Sequence, residues 1–113
     1  MTDIFKALSD ETRLRIISLL FNGEMCVCEI EASLDLTQSN ASRHLTVLKN
    51  VGIVSSSKKA QWTYYKLNEK FCIENSGLVS YLNEKLKLLS SYESDIQARD
   101  TCKQTNLCIC NKE

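Results

Sequence analysis

A mainly α-helical domain interrupted by one β-hairpin is what the sequence predicts, and three observations predict it. The chain has no Pro and only three Gly in 113 residues, so little in it breaks a helix. Apolar residues recur at helical spacing along most of the length, and only between residues 53 and 67 does the pattern turn to β-branched and aromatic runs. Hydrophobic residues at 43% and charged ones at 25% are globular proportions, and the length suits one domain.

Taken in order, Thr2 caps a short first helix carrying Ile4, Phe5 and Leu8. Asp10 caps a second, with Glu11 in its first turn, Leu14, Ile17 and Phe21 on one side, and Ile16 and Leu20 widening the stripe. Asn22-Gly23 stops it. A third helix runs from about Cys26 to Leu34, where Val27, Ile30 and Leu34 keep helical spacing. Beyond Asp35-Leu36, Thr37 caps a fourth helix, Gln38 to Asn50, with Ala41, Leu45 and Leu48 inward and Gln38, Ser39, Ser42, Arg43 and Thr46 outward. Two short helices joined by a tight turn make a helix-turn-helix. Ile53 to Ser57 and Gln61 to Leu67 form a hairpin whose tip, Lys58-Lys59-Ala60, is basic. From about Gly77 to Ala98 the leucines return to helical spacing, which predicts a long C-terminal helix with more apolar surface than a small core uses. With the first helix it is expected to make a homodimer interface. This order is that of a winged helix-turn-helix domain, placed at 1–100, followed by a flexible cysteine-bearing tail at 101–113.

The formal charge of zero conceals a polarity. Residues 1 to 36 hold three basic side chains against seven acidic ones, while 37 to 70 hold six basic (Arg43, Lys49, Lys58, Lys59, Lys66, Lys70) against Glu69 alone. A basic segment over the helix-turn-helix and hairpin is the footprint of a phosphate-binding face. Gln38 is suited to an adenine edge, Arg43 to guanine or phosphate, Ser39 and Ser42 to phosphates or bases, and Lys58 and Lys59 to the neighbouring groove.

Other classes fall away. No apolar run is long enough for a membrane span, and the start MTDIFKALSDETRLR is acidic where a secretion signal is basic and then apolar, so a cytoplasmic protein with no membrane contact is expected. With no phosphate-cradling glycine loop and one His in the chain, an enzyme is not expected and no catalytic residue is assigned. Six Cys in a reducing compartment point to metal or redox chemistry rather than disulfides.

Four segments, residues 10–20, 24–30, 37–48 and 62–67, read DETRLRIISLL, EMCVCEI, TQSNASRHLTVL and WTYYKL and together resemble the ArsR/SmtB family of metal-responsive repressors. The resemblance spans nearly the whole chain up to the tail. It implies a homodimer that represses its operator on double-stranded DNA when metal-free and releases it when a thiophilic metal or metalloid binds. The DNA-reading positions it implies are Gln38, Ser39, Ser42 and Arg43, the side chains already turned outward. Asp35 replaces a common turn glycine, and Asp tolerates the left-handed conformation that turn requires.

Cys26 and Cys28 match the C-x-C thiolate motif of such sensors. Both are expected on the third helix, where residues two apart point about 200° apart, so their sulfurs diverge and a shared ion must distort the helix, shifting the recognition helix. The expected inducers are As(III) or Sb(III), with Cd(II) or Pb(II) next, and no permanent cofactor. Glu31 stands where arsenic-sensing relatives often carry a third Cys. The missing sulfur comes from Cys72, from the tail, or from neither, and Cys102, Cys108 and Cys110 form a C-x5-C-x-C that could make a three-thiolate site by itself. Cys72 is otherwise expected in the core, His44 in a packing or polar role, and Glu84, Glu93 and Asp95 in solvent. Two alternatives stay open: a redox or persulfide-sensing repressor of the same fold, and a thiol-rich metal buffer.

Overall fold

The computed structural model describes residues 2–105. Seven helices and three strands are found among them. Helix α1 (Thr2–Leu8) leads into α2 (Glu11–Leu20), which Asp10 caps by accepting hydrogen bonds from the Thr12 and Arg13 N–H groups. Gly23 then turns the chain at φ 121°, a conformation open to glycine but strained for other residues. A two-residue strand β1 (Met25–Cys26) precedes α3 (Val27–Leu34). Asp35 closes α3 in the left-handed conformation (φ 56°, ψ 50°), so the turn survives without glycine. Helix α4 (Gln38–Asn50) has the expected bounds, and the Thr37 hydroxyl accepts from the Asn40 N–H.

Strands β2 (Val54–Lys59) and β3 (Trp62–Leu67) form the hairpin, and β1 adds on the far side of β3, giving an antiparallel sheet in the order β1-β3-β2. The register pairs Lys59 with Trp62, so Ala60 and Gln61 form the two-residue tip, and Lys58 and Lys59 belong to the strand leading into it. Ala60 takes φ 59°, the sign that tight hairpins require. Pairing of Cys26 with Tyr64 ties the start of α3 to the wing. The sequence held no signal for β1, because two residues are too few for a period.

The C-terminal part departs from expectation. A capped helix α5 (Glu69–Glu74) follows β3, and the single helix expected over 77 to 98 is divided into α6 (Ser76–Lys85), a 3-10 turn (Leu86–Leu88) and α7 (Tyr92–Thr105). Ser90 and Ser91 explain the break, since serine favours caps over helix interiors. The Ser91 hydroxyl donates to Asp95 inside the first turn of α7. Helix α7 carries on past the expected domain boundary at residue 100, and Cys102 on it is buried.

The core is one cluster. Ile16, Ile17 and Leu19 of α2, Met25, Ile30, Leu45, Leu48, Ile53 and Val54 are all fully buried, and Leu82 and Leu86 close the cluster from the C-terminal side. It positions both α3 and α4 by their apolar faces and leaves the other face of α4 to solvent.

Candidate nucleic-acid interface and thiol site

The DNA-facing candidates follow from the burial of α4. Because Ala41, Leu45 and Leu48 are fully buried, helical geometry turns Gln38, Ser39, Ser42 and Arg43 outward, and all four are exposed. Arg43 is preset: its Nη2 donates to Asn40 Oδ1 at 2.9 Å. Gln38 and Ser42 also line a small cavity of about 170 Å³ with Val27, Glu31, Thr63 and Tyr65, so the start of α4 shares a seam with α3 and the wing. Glu31 has its carboxyl raised above the ordinary value by burial there.

The two hairpin lysines differ. Lys58 is exposed, whereas Lys59 Nζ donates to Glu24 Oε1 at 2.8 Å and lies 4.8 Å from the centre of the Tyr64 ring. That ion pair holds Lys59 on the wing's own surface, although exposed pairs of this kind are weak and exchange readily. His44 is buried, as a packing and polar role requires. Arg13 Nη1 lies 3.1 Å from His44 Nδ1; since guanidinium only donates, Nδ1 accepts and the imidazole is neutral.

The two cysteines are arranged otherwise than an ideal helix predicts. Cys26 is the N-cap of α3 with extended backbone (φ −69°, ψ 149°), and Cys28 sits in the first helical turn. A cap side chain leans over that turn, as a capping Ser or Asp does, and the two sulfurs stand 3.2 Å apart. The expected divergence, and the helix distortion inferred from it, are therefore corrected: the pair converges with α3 intact. Glu29 completes the cap by accepting from the Cys26 N–H at 2.9 Å, an arrangement foreshadowed by Glu three residues after the cap.

Cys102 joins them from α7. It is 4% exposed and packs in one cluster with Cys26, bordered by Val27, Cys28, Trp62 and Tyr64. Among the described residues no three His, Cys, Asp or Glu side chains are yet gathered closely enough to hold one ion. Cys72 lies apart on α5, half-buried rather than in the core, with its thiol pushed up by burial and by the Glu69 charge. Cys108 and Cys110 lie outside the described residues. Asp95, expected in solvent, is instead 2% exposed and takes a two-point ion pair from Arg15, both N···O distances 2.9 Å.

Known proteins are similar to this chain in sequence and fold. The profile described as "Bacterial regulatory protein, arsR family" matches residues 10–56. An arsenic resistance transcriptional regulator of Pseudomonas putida, ArsR2, is 36% identical over 106 residues, which is 93% of this chain and 86% of that protein. The chain belongs to the arsR family. It is a DNA-binding transcriptional regulator and not an enzyme. A cadmium resistance regulatory protein homologue of Staphylococcus aureus is 41% identical over 68 residues, 59% of this chain and 56% of that one, so the chain spans little more than half of that relative. Among solved structures, the homodimeric winged helix-turn-helix DNA-binding domain of a possible ArsR-family regulator from Mycobacterium bovis superposes with a TM-score of 0.64 at 27% identity, covering 79% of this chain and 83% of that one. An arsR-family fold thus stands behind the exposed face of α4.

Sequence reasoning missed Asp95, Trp62 and Tyr64 as parts of the site. A signal for the first was present: Asp95, Arg99 and Cys102 share one helical face at i, i+4 and i+7. Nothing local signalled the two aromatics, which reach the thiols only through the pairing of β1 with β3.

Proposed function

We propose that this arsR-family regulator is a homodimeric cytoplasmic repressor that leaves its operator when trivalent arsenic or antimony binds Cys26, Cys28 and Cys102, with cadmium or lead as further inducers. The observation that carries the reading is the 3.2 Å approach of Cys26 and Cys28 sulfurs with buried Cys102 in the same cluster, one helix before the DNA-facing helix. Soft thiolates suit these ions. Metal–sulfur bonds of about 2.3 Å bridge sulfurs roughly 3.5 to 4 Å apart, so the pair fits an ion with little rearrangement of α3. The names of the arsenic and cadmium regulators support the ion class.

Arsenite exchanges three hydroxides for three sulfurs. In the reduced protein each thiol gives its proton to a departing hydroxide, three waters leave, and arsenic keeps its oxidation state. Drawing Cys102 onto the other two moves α7 against α3. Val27, between the two cysteines, lines the cavity that Gln38 and Ser42 share, and movement there changes how α4 meets DNA. The inducer works by binding the released conformation more tightly than the DNA-bound one. Cys108 and Cys110, beyond Cys102, add thiolates for the same ions.

For the DNA side, Gln38 and Arg43 read base edges, Ser39 and Ser42 reach phosphates or bases, and Lys58 with Lys59, once released from Glu24, meets the flanking backbone. The dimer pairs the apolar side chains left open on α1 and on α6 with the 3-10 turn after it, where Phe5, Tyr81 and Leu88 are exposed.

Fluorescence anisotropy of the protein on duplex DNA from upstream of its own gene, with arsenite titrated under reducing conditions, tests the reading. Release near one arsenite per site is expected, and Cys26→Ser or Cys28→Ser should keep operator binding while losing release. Full response in both variants would overturn it. The same closeness of the two sulfurs favours one other reading, an oxidant or persulfide switch; arsenite-insensitive binding with a reversible loss of two hydrogens by mass would support that version.

A further inference from the structure

We infer that Arg15 and Asp95 are positioning residues for the thiol site: they clamp α7 to α2 and so hold Cys102 against Cys26 and Cys28. The inference rests on the thiol-site reading above. Its starting point is the composition of α7, YESDIQARDTCKQT. Among the described side chains of this helix, Ile96 packs partly against the main core and Cys102 is buried in the second cluster. The rest of its described side chains are mostly polar, so its polar ties to α2 and to the turn at Asn22 set how this helix is oriented.

Those ties lie on one face. Asp95 receives Nε and Nη2 of Arg15, each at 2.9 Å, and the Ser91 hydroxyl at 3.0 Å. Four residues on, Arg99 Nη2 donates to the carbonyl of Asn22 at 2.7 Å, passing so close to Gly23 that a Cβ there would stand 3.3 Å from it. Three residues further, Cys102 enters the thiol cluster. The face thus reads, from α2 towards α3, clamp, strut and thiol. A two-point guanidinium–carboxylate pair fixes orientation as well as distance, which a single contact or a lysine would not. Cys102 itself is only 4% exposed where α7 is docked.

Removing the clamp should cost the third sulfur and leave the first two. Outer partners that orient ligands are typically worth about 10- to 100-fold in affinity. The test compares wild type, Asp95→Asn, Cys102→Ser and the double variant, using arsenite, which takes three sulfurs, and phenylarsine oxide, which takes two. Asp95→Asn is expected to keep operator affinity within about twofold and phenylarsine oxide affinity within about threefold, and to lose about 10- to 100-fold for arsenite. The double variant should bind arsenite no more weakly than Cys102→Ser, because Asp95 acts through that thiol. Equal arsenite affinity in wild type and Asp95→Asn, or losses that add fully in the double variant, would sink the inference.

A second readout does not need arsenic. Alkylation of Cys102 by iodoacetamide, followed by peptide mass spectrometry, should be slow in wild type and at least about tenfold faster in Asp95→Asn, as an opened helix exposes the sulfur. An unchanged rate overturns the clamp, whereas failure of the wild type to bind arsenite alongside faster alkylation in the variant refutes the inducer and leaves the clamp standing. Should Asp95→Asn fail to fold, Arg15→Lys, which keeps the charge but not the two-point geometry, should give intermediate values in both measurements; wild-type values there count against the clamp.

Discussion

Within the thirteen residues of α4, three side chains are fully buried and the four DNA-facing candidates are exposed, so one helix sets both its own anchorage and its own working surface. The thiol cluster has no such unit. It takes Cys26 from a strand, Cys28 from the first turn of α3 and Cys102 from α7, and it borrows Trp62 and Tyr64 from the wing. A surface made by a single helix fails only if that helix fails, whereas a site gathered from several elements can lose one member while the rest persist. Sensing fits the second kind of construction, because a ligand that closes the gathering does work on the elements that carry it.

The harshest way to break that contrast is to attack the anchorage of α4. Leu45→Ala empties a fully buried position and is expected to cost about 2 to 5 kcal/mol of folding stability, seen as a lower denaturant midpoint with the slope unchanged. Operator binding should then fall only in step with the folded fraction. Less severe is Arg43→Ala, which touches the working surface alone. Operator affinity should drop by about 1 to 3 kcal/mol if the guanidinium reads a base, and the salt dependence should flatten by about one phosphate if it reads the backbone. Arsenite binding is expected to stay at the wild-type value in either case. A parallel loss of arsenite affinity would mean that the two regions are not separable.

The same contrast governs how much the sequence could disclose. Helix α4 was legible to the residue, since its cap at Thr37, its buried stripe and its outward polar residues all lie within one periodic segment. Asp35 was legible as a left-handed turn for a similarly local reason. The thiol geometry was not. Treating Cys26 as a helical residue sent the two sulfurs apart, while its extended backbone, fixed by pairing with Tyr64, brings them together. Asp95 was misplaced in solvent because its partner, Arg15, comes from α2, and no periodicity links residues so far apart. The break at Ser90-Ser91 was written in the chain, yet the leucine spacing on either side outweighed it.

Asp10 offers a milder probe of the local side. Its carboxylate satisfies two backbone N–H groups at the start of α2, and Asp10→Ala should cost about 1 kcal/mol, read from the denaturant midpoint. Asp10→Asn, which keeps a cap acceptor, should recover most of the loss. Neither substitution should alter arsenite affinity, since the Asp10 carboxylate serves the Thr12 and Arg13 N–H groups at the start of α2.

The smallest expected effect concerns pH, and it shows where the independence of α4 ends. His44 points from that helix into the core, beside Arg13 of α2. Burial, followed by the Arg43 and Arg13 charges and opposed by that of Asp10, holds its imidazole below the ordinary 6.5. In the unfolded chain the ring takes a proton as pH falls through about 6.5, while the folded protein takes it only at lower pH. Acid therefore favours unfolding: the folded state keeps its full stability above 6.5, loses it progressively below, and stops losing it once the folded value is passed. Denaturant titrations between pH 7.5 and 5.5 should show this decline in wild type. His44→Gln, which cannot take a proton yet can still accept from Arg13, should flatten it over the same range. An equal decline in the variant would assign the slope to other groups. A flattened one would show that the buried face of α4 carries a charge-sensitive tie to α2, the helix whose Arg15 also pairs with Asp95 of the cysteine-bearing α7, so that α2, as well as the seam between α3 and α4, links the two regions.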